Sequence, residues 1–262
     1  MGMCISRTQS QLEQKSEYQK CVVALVRHGQ RADYAIDESI VYDISHDPPL
    51  TREGMWQAKL TGEALKKQFL EGGFEKVIIE SSPFLRCIMT AAQICKEFQI
   101  DQFDINYIFS EKLTPNIYTY NPIDDLCIKK KDKKDIIQMY LDGVDFNDSK
   151  LFHSEIQQWY PENTKKAVQR TKLFNDQFIK EYKNSTKKVM HIVTTHGAFV
   201  TGFGELYYAN NRAFNFCSIT AIEFQGDQTS LLLDCYSQHI RLSDGKTMYD
   251  SNGKFFNHFS DY

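Results

Sequence analysis

From residue 21 onward the chain alternates short apolar runs with longer amphipathic stretches. The run "CVVALV" (21–26) is rich in β-branched residues and predicts a buried strand. In "LTREGMWQAKLTGEALKKQFLEGG" (50–73), Met55, Ala58, Leu65 and Phe69 share one face of a helix. Thr51 is its N-cap, and Gly72-Gly73 stop it. "EKVIIESS" (75–82) predicts a second strand. "SPFLRCIMTAAQICKEF" (82–98) predicts a second helix, with Ser82 as cap and Pro83 in its first position. "FDINYIF" (103–109) reads as a third strand. "PENTKKAVQRTKLFNDQFIKEY" (161–182) reads as a helix striped by Ala167, Thr171, Phe174, Phe178 and Tyr182. "KKVMHIVTTHGAF" (187–199) then repeats the opening order of apolar strand, His-Gly and helix. "SITAIEF" and "SLLLDCYS" close the pattern as paired strands. No period of 20 to 50 residues marks a repeat protein.

Two segments break the alternation. Residues 1–20 are polar and read as a flexible tail, leaving 21–262 as one domain. Residues 112–160 are the least regular part, with Pro115, Pro122 and the run "KKKDKK" (129–134). The run reads as a solvated loop, and the whole segment as an insertion over the substrate cleft. Strands alternating with helices predict a three-layer α/β/α sandwich with a mixed, mostly parallel central sheet. Ligands in such folds sit beyond the carboxyl ends of the strands. Arg27-His28 and His196 each follow a predicted strand, so both belong on the same edge.

Composition narrows the class. An apolar content of 42% and a charged content of 25% over 262 residues are ordinary for a globular protein. A net charge of −3 gives no general attraction to nucleic acid. The seven cysteines form no C-x-x-C pair, which argues against a disulfide framework or a zinc site and points to a reducing, cytoplasmic setting. No run approaches the roughly 18 apolar residues of a membrane span. The first residues, "MGMCIS", fit the M-G-x-x-x-[ST] acylation pattern, with Gly2 as the myristoylation site and Cys4 as a palmitoylation site. Peripheral contact with the cytoplasmic face of a membrane is therefore expected.

The chemistry follows from residue types. A phosphoryl group in transfer spreads charge over three equatorial oxygens. Arg27, Arg31 and Arg86 offer planar, permanently charged donors for them. His28 is the candidate nucleophile, since a neutral imidazole can attack phosphorus. His196 is a second wall of the phosphate site, and Glu111, just past the third strand, is placed to protonate the leaving oxygen. Asp/Glu clusters with metal-ligand spacing are not evident, so neither metal nor cofactor is expected.

Five motifs together carry a family resemblance: "RHGQR", "DPPLTREGMWQA", "SSPFLRCIMTA", "FSEKL" and "VTTHGAF". Over roughly residues 21–240 the chain resembles the histidine phosphatase (phosphoglycerate mutase-like) superfamily. The second arginine of "RHGQRAD" and the stretch "SPFLRCIMTA" look most like TULA/Sts-type phosphatase domains, known for phosphotyrosine and steroid-phosphate hydrolysis. The resemblance implies that His28 becomes phosphorylated, that Arg27, Arg31, Arg86 and His196 bind phosphate, and that Glu111 is the proton donor. Departures refine it. Gln30-Arg31-Ala32-Asp33 stands where cofactor-dependent mutases carry Glu-Ser and then Trp-Asn. Asp33 stands where the acid-phosphatase branch has Pro, and Gly197 where it has Asp, which assigns the chain to branch 1. Lys112 follows Glu111 where an aromatic residue is usual.

The expected activity is metal-independent phosphomonoester hydrolysis, on phosphotyrosine or other aryl phosphates. The alternatives are a sugar-phosphate phosphatase or mutase, and a catalytically silent scaffold that binds phosphorylated ligands. The expected partners are a phosphorylated small molecule or phosphotyrosine-type substrate, a membrane surface, and a second copy in a homodimer. Nucleic acid is not among them.

Overall fold

A computed structural model describes residues 18–34 and 40–240. Its strands are β1 (Cys21–Arg27), β2 (Lys76–Ser81), β3 (Gln102–Asn106), β4 (Asp145–Leu151), β5 (Val189–Thr195), β6 (Ile219–Gln225) and β7 (Gln228–Tyr236). They form one sheet in the order β4-β3-β2-β5-β1-β6-β7. β4, β3, β2, β5 and β1 run parallel to one another, β6 pairs antiparallel with β1, and β7 pairs antiparallel with β6. The expected mixed sheet is therefore present.

Alternate residues of the central strands feed two separate cores, which is why β1 reads as a continuous apolar run. Val22, Ala24 and Val26 pack with α1 (Arg52–Gly72) and α2 (Leu85–Phe98) on one face. Val23 and Leu25 pack with α6 (Thr164–Tyr182) and α7 (Gly197–Glu205) on the other. Sheet and helices thus make three layers. Phe174, Phe178 and Tyr182 are buried along α6 as its stripe predicts.

Helix boundaries show which local signals succeed. The Thr51 hydroxyl accepts the Gly54 N–H at 2.9 Å, and Gly73 takes a left-handed φ of 63° at the other end of α1. At α2 the expected cap fails. The helix starts at Leu85, Phe84 is its N-cap, and no cap side chain bonds to it. The Leu85 N–H instead donates to Oδ1 of Asp47, 38 residues away, at 2.8 Å. Ser82 is committed elsewhere, to His196. The third strand is also shorter than expected. At Asn106 its side chain accepts the Ile108 N–H, and residues Tyr107–Phe109 turn into a short 3-10 helix.

The 112–160 segment holds more regular structure than its composition suggests: α3 (Cys127–Lys130), α4 (Lys133–Tyr140), α5 (His153–Gln157), and β4, which extends the sheet beside β3. The lysine run is not a free basic patch. Lys129 pairs with Asp148, Lys130 with Asp125, Lys131 with Asp43 and Lys133 with Asp145. The described cysteines Cys21, Cys87, Cys95, Cys127, Cys217 and Cys235 are free thiols. No helix among the described residues is long and apolar enough to cross a membrane. Gly2 and Cys4 lie outside the described residues.

Candidate active site

β1 and β5 end in register, Arg27 opposite Thr195, so the next residues of both strands emerge side by side. The His28 N–H donates to the Thr195 carbonyl at 3.0 Å. The two imidazole rings then stand 5.4 Å apart, centroid to centroid. Gly29 follows because α1 starts against it. A Cβ at 29 would come within 2.4 Å of the Gly54 carbonyl oxygen, and one at 54 within 2.3 Å of that of Gln30. Glycine at both positions lets the helix N-terminus touch the loop.

His28 is buried, and its Nδ1 lies 2.8 Å from its neighbour's carbonyl, Gly29 O. A carbonyl can only accept, so Nδ1 carries the proton and the lone pair is left on Nε2. Burial, followed by the charge of Arg86 and the proximity of His196 and Arg27, holds the His28 pKa well below its usual value. The imidazole is therefore neutral, as a nucleophile must be. Cys87 lies 3.5 Å from His196 Nε2, but burial raises its pKa and keeps the thiol protonated.

Arg86, in the first turn of α2, has no exposed surface and lies over the Phe84 ring at 4.5 Å. Its Nη2 lies 3.4 Å from Glu111 Oε2 and 3.3 Å from His196 Nδ1. Glu111 Oε2 is also 3.1 Å from that imidazole nitrogen. The Ser82 hydroxyl holds the other side of the ring, 2.8 Å from Nε2. Burial pulls the Arg86 pKa down, but Tyr118, Glu111, Cys87 and Asp47 around it outweigh burial and raise it. Burial pushes His196 down to about 4 against the pull of Glu111. Burial likewise opposes the Glu111 charge, but His196, Arg86 and the Lys112 N–H hold its pKa well below the usual carboxylate range.

Arg27 closes the other side. Its Nη1 donates to the carbonyls of Ala213, at 2.9 Å, and Phe214, and its guanidinium lies 4.5 Å from the centre of the Phe216 ring. Arg31 stands apart from this contact network: it pairs bidentately with Asp33 and lies over the Tyr34 ring. The structure thus gathers Arg27, His28, Arg86, Glu111 and His196 and leaves Arg31 beside them.

Three buried nitrogens decide what this site wants. Arg27 Nε, Arg86 Nε and Arg86 Nη1 have no hydrogen-bond partner among the described residues. Leaving a buried donor unpaired costs about 1–3 kcal/mol, more for charged groups. Such donors, next to a neutral imidazole, suit an anion with several oxygens. One atom each from His28, Glu111 and His196 fall within 4.8 Å of one another, the spread of a three-ligand metal site. The Arg86 guanidinium bonded to that same carboxylate opposes a cation there.

Sequence reasoning missed two supports. Asp47 is buried and accepts the first N–H of both α2 and α3, from Leu85 at 2.8 Å and Cys127 at 2.9 Å. Ser82, a cap by its position in the sequence, bonds to His196 instead. The only signal for either was membership in the motifs "DPPLTREGMWQA" and "SSPFLRCIMTA".

Residues 23–113 match the model of the histidine phosphatase superfamily (branch 1). The chain is 32% identical over 110 residues to ubiquitin-associated and SH3 domain-containing protein A of Mus musculus, a match covering 38% of this chain and 17% of that one. It therefore spans a minor part of that relative's length. Among solved structures, a phosphoglycerate mutase from Bacillus anthracis str. Sterne aligns with a TM-score of 0.56 and 15% identity, covering 86% of this chain and 96% of that one. The ecdysone phosphate phosphatase of Bombix mori, solved with tungstate, aligns with a TM-score of 0.51 and 17% identity, covering 86% and 97%. At such identities the likeness to both structures is one of fold.

Proposed function

Because the chain belongs to the histidine phosphatase superfamily, branch 1, we propose that it hydrolyses phosphate monoesters through a phosphohistidine on His28. The observation that carries this reading is the set of unpaired N–H donors on Arg27 and Arg86 beside a buried, neutral His28. In the first step the Nε2 lone pair forms a bond to phosphorus while the P–O ester bond breaks. Glu111 gives its proton to the departing oxygen. In the second step water attacks the phosphohistidine, Glu111 takes the water proton, and inorganic phosphate leaves. Glu111 is ionised in the resting site. A phosphate dianion drawn between Arg86 and His196 raises the Glu111 pKa by like-charge repulsion and competes for its hydrogen bonds, which lets it carry the proton.

The preferred substrates in this reading are aryl or other bulky monoesters. What supports this is an aromatic wall beside His28: Phe216 at 5.8 Å from the His28 ring, with Tyr34 packed edge-on against Phe216 at 5.6 Å. We also propose that the chain works at the cytoplasmic face of a membrane, acylated at Gly2 and Cys4. Its support is the fit of "MGMCIS" to the acylation pattern.

The direct test is His28→Ala with p-nitrophenyl phosphate in the presence of EDTA, together with trapping of the phosphoenzyme. Wild type should yield an acid-labile, base-stable phosphoenzyme, and the variant should yield none and show no turnover. A folded His28→Ala protein with near wild-type turnover would sink the mechanism.

A further inference from the structure

We propose that Arg170 and Glu162 form a positioning clamp that sets the reach of the proton donor Glu111; the inference rests on the phosphohistidine reading above. Arg170 lies on the buried side of α6 and has no exposed surface. A guanidinium has five N–H bonds to give, and all five are engaged here. Nε donates to Glu162 Oε1 at 3.0 Å, and Nη2 to Glu162 Oε2 at 2.7 Å. Nη2 also donates to the Glu111 carbonyl at 3.0 Å, while Nη1 donates to those of Ile108 at 2.9 Å and Ser110 at 2.7 Å. Three carbonyls from four successive residues therefore converge on one side chain.

Glu162 completes the grip on the far side of Glu111. Its Oε2 accepts the Leu113 N–H at 2.8 Å, and its own backbone N–H donates to the Leu113 carbonyl at 2.7 Å. Residues 108–113 have left β3 and have no sheet ladder to satisfy their backbone, so the clamp takes its place. The same guanidinium lies 4.0 Å from the centre of the Phe199 ring, three residues into the helix that His196 caps. It thereby ties the acid-bearing segment to the helix behind His196, across the 3.1 Å contact between Glu111 and that imidazole.

Burying an ion pair is costly, and an apolar pair of similar size often serves a core as well. An apolar pair here would leave three carbonyls and one N–H unpaired. The charge is explained by the backbone it gathers, and that backbone carries the acid.

The test reads the phosphorylation step itself, by quenching phosphoenzyme, because Glu111 also acts as base in the second step. Arg170→Lys keeps the charge but offers three donors at one point, too few for both carboxylate oxygens and three carbonyls. It should slow phosphoenzyme formation from an alkyl phosphate roughly 10- to 100-fold, part of the 10²–10⁴ that general acids supply. Formation from p-nitrophenyl phosphate, whose leaving group needs no proton, should slow less than about threefold. Glu111→Gln sets the full size of this split, and Arg170→Lys added to Glu111→Gln should slow the alkyl substrate no further. Glu162→Gln, which keeps an oxygen to accept and leaves Arg170 on the three carbonyls, covers the case in which the lysine variant does not fold, and it should show the same split to a smaller degree. Equal slowing of both substrates, or a lower Tm with the alkyl-to-aryl ratio unchanged, would overturn the clamp. Wild type that forms no phosphohistidine, or Glu111→Gln without the split, would overturn the phosphatase reading and the clamp with it.

Discussion

Replacing Arg86 with lysine isolates the fork geometry of the proposed phosphate site from its charge. Arg86 is fully buried; its Nε and Nη1 have no hydrogen-bond partner among the described residues, and Nη1 stands 3.8 Å from Asp47 Oδ1. Its remaining nitrogen makes only long contacts, 3.4 Å to Glu111 and 3.3 Å to His196. The N–H groups of Nε and Nη1 are thus available to a ligand. Hydrogen bonds to a charged group contribute about 1.5–3 kcal/mol each. Two such bonds to equatorial oxygens give roughly 3–6 kcal/mol, and lysine keeps part of this through its charge. A net loss of about 3–4 kcal/mol in the transition state remains, which is a factor of roughly 10²–10³ in rate and matches the loss of one preorganised oxyanion donor. The assay is kcat/KM for p-nitrophenyl phosphate, with competitive inhibition by inorganic phosphate measured on the same protein. Inhibition should weaken along with kcat/KM, and a thermal melt checks that the variant is folded. A folded Arg86→Lys enzyme within tenfold of wild type, and inhibited equally well by phosphate, would refute the reasoning.

Two further predictions concern stability and location. Burial raises the Glu53 pKa from 4.5 to about 7, so the folded state prefers its protonated form. That contribution is complete below pH 4.5 and lost as pH rises through 7. At about 1.4 kcal/mol per unit the loss has an upper bound of about 3–4 kcal/mol, lessened by the part of the side chain that water screens. Glu53→Gln should remove it, so denaturant melts of wild type and variant should diverge between pH 5 and pH 8; parallel profiles would show that Glu53 titrates normally. For the N-terminus, Gly2→Ala should shift the protein from the membrane to the soluble fraction and Cys4→Ser should do so in large part, since one myristoyl chain binds only reversibly. A wild-type protein found wholly in the soluble fraction would refute acylation.

Much of this architecture is written in local pattern. β1 is legible because a strand covered on both faces must be apolar at every position, and α1 because Thr51 and Gly73 carry their cap chemistry in their own side chain and backbone. Likewise, His28 and His196 each sit directly after a strand, and a parallel sheet sends the carboxyl ends of its strands to one edge. Sequence order thus puts both histidines on one edge of the sheet, and the pairing of β1 with β5 brings them side by side.

Other features needed the folded chain, because their causes are distant in sequence. The α2 cap is an aspartate 38 residues away, so nothing near Leu85 announces it. β4 lies in a polar segment and is a strand because β3 offers it a free edge. The lysines of 129–134 look like a basic patch until the fold places an aspartate beside four of them. Arg170 reads as one more cation on a lysine-rich helix. Only the packing of α6 against the sheet turns it inward, where its five donors meet a carboxylate and three carbonyls from elsewhere in the chain. Periodicity and caps are short-range and survive as sequence. The neutrality of His28 and the grip on Glu111 arise from burial, nearby charge and long-range hydrogen bonds, which exist only once the chain has folded.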